Sequence, residues 1–183
     1  MSEERFRIRK AEEKDLDRIM EIYAFARKFM AEHGNPRQWG NTNWPPEALI
    51  RKDISEGKSY VCEAAGSAEG PDSSPRIEAV FFYDHGRDIE PCYRVIEGKG
   101  WRGGDTYGVV HRIASAGTER GAGAFCISWA FRQCGNLRMD THGDNVVMQN
   151  LLTKIGFVPC GIIHVEEDDD PRIAYEKLEK ESL

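Results

Sequence analysis

Tyr107-Gly108-Val109-Val110-His111-Arg112-Ile113-Ala114-Ser115 runs into Ala116-Gly117-Thr118-Glu119-Arg120-Gly121-Ala122-Gly123 and then into Ala124 to Cys134. The β-branched Val109, Val110 and Ile113 favour a strand. The glycines at 117, 121 and 123 break it, and Phe125, Trp129 and Arg132 return at helical spacing. A strand that feeds a glycine-rich loop into a helix N-terminus is a ready anion site. Backbone N–H groups project from the first turn, and the helix dipole adds partial positive charge there. Glycine lets a phosphate approach the backbone without a Cβ in the way, and Arg120 adds a fixed positive charge. The dinucleotide pattern G-x-G-x-x-G and the P-loop ending G-K-[ST] are both missing. The loop therefore reads either as a structural turn or as a pyrophosphate-binding turn of another kind.

Upstream, Phe6 to Lys10 alternates like a first strand. Glu12 to His33 reads as a helix with the apolar stripe Leu16, Ile19, Met20, Tyr23, Ala26 and Met30, stopped by Gly34-Asn35-Pro36. The polar loop from Arg37 to Pro46 carries Trp39 and Trp44, which either contact substrate or pin the loop to the core. A short helix follows to Ile54. Ser59–Ala64 and Arg76–Tyr83 read as strands of a hairpin around a Gly/Ser/Pro loop, Gly66 to Pro75. Asp88 to Glu97 reads as a helical turn before the Gly-rich stretch Gly98 to Gly104. Downstream, Asn136–His142 reads as a strand. Met148, Leu151, Leu152 and Ile155 form a helical stripe closed by Gly156, and Phe157–Glu166 and Arg172–Leu178 read as the last strands. Helices before and among the strands predict one mixed sheet covered by helices.

Composition narrows the class. The 183 residues are 40% hydrophobic and 31% charged, as in a soluble single domain. No apolar run approaches the roughly 20 residues of a membrane span, and Met1-Ser2-Glu3-Glu4-Arg5 lacks the apolar core of a signal peptide. The expectation is a cytoplasmic protein with no membrane partner. The five cysteines are odd in number and form no C-x-x-C pair, so reduced thiols are expected; a catalytic cysteine has no marked base. The five histidines lack i,i+4 spacing, so no metal site is expected. The net charge of −6 argues against nucleic acid and suits a cationic acceptor such as an amine. The acidic run Glu166 to Asp170 reads as a solvated turn.

Three blocks combine into a resemblance. Asp140-Thr141-His142-Gly143-Asp144-Asn145, Met148-Gln149-Asn150-Leu151-Leu152 and Lys154-Ile155-Gly156-Phe157 resemble the late half of the GNAT N-acetyltransferase superfamily. His111 to Ser115 followed by Arg120-Gly121-Ala122-Gly123-Ala124 looks like its acetyl-CoA motif. The resemblance implies an α+β fold: a mixed, mostly antiparallel sheet of about seven strands with flanking helices, in one N-acetyltransferase domain over residues 5–180. It also implies acetyl-CoA as donor substrate, with the acetyl group passed to the primary amine of a small molecule or peptide. In the family two central strands splay apart and pantetheine runs in the gap. The backbone of Arg112, Ile113, Ala114 and Ser115 would pair with its amides, and the amides of Arg120, Gly121, Ala122, Gly123 and Ala124 would hold the pyrophosphate. Asn145 takes the place of an Asn near the pantetheine arm, or caps a helix. A homodimer is compatible with such a domain.

The chain departs from the family twice. In the motif Q/R-x-x-G-x-G/A, Thr118 takes the first place if Gly121 and Gly123 are the final pair; with Arg120 first, Phe125 would crowd the turn. Many members carry a Tyr, acid to the leaving thiolate, where this chain has Leu152. His111 is the candidate base, since imidazole titrates near neutrality, with Tyr107 as alternative and Asp105 as a water relay. Tyr175 or a cysteine is a substitute acid. An acyl-CoA sensor without turnover, or a transferase for longer acyl groups, are the alternative readings.

Overall fold

The computed structural model describes residues 5–40, 42–65 and 75–179. Met1–Glu4, Asn41 of the tryptophan loop and all of the 66–75 loop except Pro75 lie outside the described residues. The strands are β1 (Phe6–Lys10), β2 (Ser59–Ala64), β3 (Arg76–Arg87), β4 (Glu97–Gly98), β5 (Thr106–Ser115), β6 (Asn136–His142), β7 (Val158–His164) and β8 (Pro171–Leu178). The helices are α1 (Leu16–Glu32), α2 (Glu47–Ser55), α3 (Ala122–Cys134) and α4 (Val146–Lys154), and 3-10 turns occupy Glu13–Asp15 and Pro91–Tyr93. The eight strands pair in the order β1-β2-β3-β5-β6-β8-β7-β4. The β1/β2, β2/β3, β6/β8, β7/β8 and β4/β7 pairs are antiparallel and β5/β6 is parallel. The fold is thus the expected α+β arrangement with a mixed, mostly antiparallel sheet. The strand beyond the expected count is β4, two residues long, too short to leave a periodic pattern.

Several boundaries move, and β3 runs past the expected Tyr83 to Arg87. The segment expected to be helical from Glu12 opens with the 3-10 turn, so α1 starts at Leu16, and Ile22 rather than Met30 joins the buried face. Ala122 and Gly123, read as loop, belong to the first turn of α3.

The chain divides into two compact units, one formed by Met1–Phe82 and Arg112–Ile127 and the other by Tyr83–His111 and Ser128–Leu183. In the first, Leu16, Ile19, Ile22, Tyr23 and Ala26 of α1 bury one helical stripe against Ile50, Val61, Val80 and Ala114. Removing this apolar surface from water is the main stabilising term. Phe6 packs on Phe125 at 5.5 Å between ring centroids. At the start of α1, Asp15 accepts hydrogen bonds from Arg9 Nη1 (2.6 Å) and Nη2 (3.0 Å) and from the Glu12 N–H (2.8 Å). The Arg9 hydrogen bonds hold the Asp15 carboxyl below its ordinary value despite burial. A carboxyl lowered by folding stabilises above its unfolded pKa of about 3.9 and loses that contribution as pH falls through the folded value. Asp15→Asn is therefore expected to lower unfolding free energy by about 1–2 kcal/mol at pH 7. The difference between the two proteins in urea unfolding should shrink as pH falls below about 3.9; a difference that does not shrink on acidification would refute the assignment.

In the second unit, β6 and β8 pair from Asn136↔Leu178 to His142↔Arg172. β5 and β6 are joined only at Gly108↔Leu137 and Val109↔Arg138. Arg138, buried, donates from Nε to Glu176 Oε1 at 2.9 Å and lies over the rings of Trp101 (4.4 Å) and Tyr107 (4.0 Å). The Glu176 Oε2 accepts from the N–H groups of Arg102 (2.6 Å) and Gly103 (3.1 Å). This ion pair has its remaining valences satisfied, as a buried pair requires, and it anchors the glycine-rich stretch that precedes β5.

Candidate active site

The end of β5 and the loop after it lie in the first unit. Arg112 has φ 51°, a left-handed conformation inside a strand, unusual for a residue with a Cβ. Its side chain and carbonyl hold it there. Nε and Nη2 donate to Asp53 Oδ2 at 3.1 and 2.8 Å, the guanidinium lies 4.5 Å over the Phe82 ring, and the Tyr23 hydroxyl donates to the Arg112 carbonyl at 2.8 Å. Burial pushes the Asp53 carboxyl up more than the Arg112 charge pulls it down. The pair is therefore held at a desolvation cost and fixes geometry rather than adding net stability. Asp53→Ala leaves the half-buried Arg112 without its anion, and a loss of about 3 kcal/mol in urea unfolding is expected; a loss under about 1 kcal/mol would show that Arg112 is held by other contacts.

After Ser115 the chain turns through Gly117, whose N–H donates to Ser115 Oγ at 3.1 Å. Gly117 has φ +76°, and a Cβ there would sit 2.9 Å from the Phe25 ring, so both conformation and space demand glycine. The loop is tied down by carboxylates the sequence did not flag. The Thr118 hydroxyl donates to the buried Glu78, and Glu119 pairs with Arg5 and, at 3.5 Å, with Arg76. Gly121 follows with φ +94°. The first bond of the α3 ladder runs from Phe125 N–H to Gly121 O at 2.9 Å. The N–H groups of Ala122, Gly123 and Ala124 therefore precede the ladder at the positive end of the helix dipole. Arg120 is exposed beside them. Backbone donors and glycines thus meet at the start of α3, with exposed Arg120 next to them in sequence, a combination suited to an anion.

His111, the last β5 residue of the second unit, sits among acids. Its Nε2 lies 2.8 Å from Glu90 Oε2, and its Nδ1 lies 3.8 Å from Asp140 Oδ2. The Tyr93 hydroxyl donates to the same Asp140 oxygen at 2.8 Å. The Glu90 N–H donates to the Tyr107 hydroxyl at 3.2 Å, and the Cys92 thiol donates to Glu90 Oε1 at 3.3 Å. Burial pushes the Glu90 carboxyl up, but the hydrogen bond and charge of His111, with help from Cys92, leave it below its ordinary value. Burial raises the Cys92 thiol, and the charges of Glu90, Asp140 and Glu167 raise it further. The Tyr93 hydroxyl is raised by burial and by Asp140. Both therefore remain protonated donors near neutrality, and Cys92 is no thiolate nucleophile.

Sequence reasoning singled out His111 and missed Glu90, Tyr93 and Asp140 as its neighbours. Tyr107, the alternative base, is buried with its hydroxyl on the Glu90 N–H and raised mainly by burial. Asp105 is exposed and pairs with Arg87 at 3.7 Å. A cavity of about 510 Å³ is lined by Arg87, Arg94, Trp101, Arg138, Tyr93 and Tyr107. Two of its walls, Tyr93 and Tyr107, also border the histidine cluster. Tyr175 is buried on β8 opposite Met139.

Of the two tryptophans of the α1–α2 loop, Trp39 packs through its ring and Trp44 is held through its backbone. Trp39 meets Tyr23 edge-on at 5.9 Å against the core of the first unit, and the Trp44 carbonyl accepts from Arg27 at 3.3 Å. Asn145 caps α4, its side chain accepting from the Met148 N–H at 3.1 Å.

A solved GNAT-family acetyltransferase from Streptococcus agalactiae superposes with a TM-score of 0.77, at 28% identity over 96% of each chain. The chain has the fold of the GNAT acetyltransferases. A GNAT acetyltransferase from Listeria monocytogenes superposes at TM-score 0.63 and 15% identity over 94% of each chain. Arabidopsis thaliana NAA60, solved in complex with acetyl-CoA, does so at 0.63 and 10% identity over 93% of this chain and 97% of its own. No protein-family model and no curated protein matches the sequence. Within the GNAT pattern, Leu152 occupies the place of the family Tyr and is fully buried, so this position of α4 supplies no proton. Its burial also removes the observation behind the longer-acyl reading. Phe125 is committed to Phe6, whereas Gly121 is the left-handed residue at the mouth of α3.

Proposed function

We propose that this GNAT acyltransferase moves an acetyl group from acetyl-CoA to a primary amine by direct attack, within one N-acetyltransferase domain spanning residues 5–180. Acetyl-CoA supplies the activated acyl group as a thioester. The observation that carries the reading is the helix-terminal anion cradle at the start of α3; separately, the imidazole of His111 between Glu90 and Asp140 supplies a candidate base. The family resemblance puts the pantetheine arm along the backbone from Arg112 to Ser115 and near Asn145, and the pyrophosphate on the N–H groups from Arg120 to Ala124. The Ile113 N–H polarises the thioester carbonyl. His111 takes the proton as the amine N–H bond breaks and the nitrogen bonds the acetyl carbon; the sulfur leaves with the thioester electron pair. The cavity beside Tyr93 and Tyr107 suits entry of the acceptor toward His111, because the two share those walls. Its three arginines are offset by Asp88 and Asp105, which fits a small polar or peptide amine better than a strongly charged one.

The test is CoA release from acetyl-CoA, followed by chromatography, with butylamine, phenethylamine, spermidine, lysine and a tripeptide with a free N-terminus. Release stimulated at least tenfold by one of these amines, together with its acetylated product, is expected. Binding of acetyl-CoA with no stimulated release by any of them would favour the sensor reading.

A further inference from the structure

Glu90 is the least expected member of the histidine cluster, since it lies 21 residues before His111, just ahead of the Pro91–Tyr93 turn. We propose that Glu90 is a positioning residue that fixes the tautomer and orientation of His111 for proton transfer from the acceptor amine. The inference rests on the transferase reading above.

Several contacts hold the carboxylate in place. The Glu90 N–H is fixed by Tyr107 at 3.2 Å, and the Glu90 carbonyl accepts the Tyr93 N–H at 3.0 Å as the 3-10 turn begins. Oε1 accepts the Cys92 thiol, leaving Oε2 aimed at His111 Nε2. An ionised carboxylate can only accept, so the hydrogen of the 2.8 Å bond sits on the imidazole Nε2. That tautomer puts the ring lone pair on Nδ1, which becomes the proton-receiving atom. When the amine N–H bond breaks and the Nδ1–H bond forms, the imidazolium lies between Glu90 and Asp140, the latter 3.8 Å from Nδ1. Two negative charges then face one positive ring, which favours the charged product of the step. Among the charged and titratable groups facing the ring are Glu90 and Tyr93 from the connection before β5 and Asp140 from β6. Cys92 and Tyr107 act behind Glu90. Tyr93 keeps Asp140 in place through its hydroxyl and lies 6.0 Å from His111 between ring centroids.

The decisive experiment compares wild type, Glu90→Gln and Glu90→Asp, using acetyl-CoA and the most active amine of the set named above. Glu90→Gln is expected to lower kcat about tenfold or more with the KM for acetyl-CoA changed less than about twofold. Glu90→Asp, which keeps the carboxylate, should recover part of the rate. Wild-type kcat in Glu90→Gln overturns the proposal while leaving the transferase reading intact. Absence of amine-stimulated release in wild type defeats the transferase reading, and the proposal with it. A second readout needs no acceptor. In the full chain labelled with ¹⁵N-histidine, the low-field Nε2–H proton resonance of His111 is expected in wild type and lost in Glu90→Ala. Its persistence unchanged in Glu90→Ala also overturns the proposal.

Discussion

Replacing Gly123 with leucine is expected to lower the affinity for acetyl-CoA at least about 100-fold, equivalent to roughly 2.7 kcal/mol, while leaving the fold intact. The two halves of this expectation have different physical origins. Gly123 lies in the first turn of α3, which runs Ala122–Cys134, and leucine is favoured over glycine in a helix by about 0.8 kcal/mol. The substitution should therefore hold or raise the melting temperature. The donors it obstructs are the N–H groups of Ala122, Gly123 and Ala124, which precede the first ladder bond at Phe125. A phosphate oxygen must come within about 2.9 Å of such a donor, and a branched side chain on the middle residue of the three occupies that approach. Calorimetry with acetyl-CoA checks it directly. An affinity within threefold of wild type, in a protein that melts normally, would remove the pyrophosphate from this helix end.

The parts of the molecule that were legible in the sequence are those whose physics is local. The β5–loop–α3 stretch announced itself through β-branched residues, then glycines, then helical spacing, and the α4 stripe through Leu152 and Gly156. What could not be read was set by contacts far apart in the chain. The left-handed Arg112 depends on Asp53 and Phe82, and nothing in the strand pattern from Tyr107 to Ser115 signals an irregularity. Thr118, which looked like a defect in the phosphate motif, is bound to Glu78, 40 residues earlier. The helical turn expected within Asp88–Glu97 is present at Pro91–Tyr93, but nothing local signals that it brings Glu90 and Tyr93 to the β5 histidine. The Trp39 ring packs on Tyr23 and against the core while staying partly exposed, a contact with α1 that the polar loop sequence does not signal.

Replacing His111 with alanine is expected to lower kcat about 10²-fold or more and to flatten the acidic limb of the pH–rate profile. The sign follows from the role. A base works only when unprotonated, so the wild-type rate rises with pH as the imidazole loses its proton, and alanine has no proton to lose. The KM for acetyl-CoA should change little, because the donor is assigned to backbone groups from Arg112 onward and to the α3 terminus. One complication is foreseeable. In wild type the Glu90 carboxyl is pushed up by burial and brought down by His111. Without the imidazole, the burial effect is opposed by the Cys92 hydrogen bonds, and Glu90 becomes a half-buried acid that has lost its main partner. Some loss of stability is therefore expected in His111→Ala and should be relieved by adding Glu90→Gln. The double variant also separates the roles. If Glu90 works only through His111, then Glu90→Gln costs about tenfold in wild type and nothing further in His111→Ala, a non-additivity of roughly 1.4 kcal/mol. Added imidazole should restore part of the His111→Ala rate, with a limb set by the free base. A His111→Ala enzyme that keeps the wild-type profile would show that the proton leaves the amine by another route, and Tyr107, whose hydroxyl already meets the Glu90 N–H, would be the next group to remove.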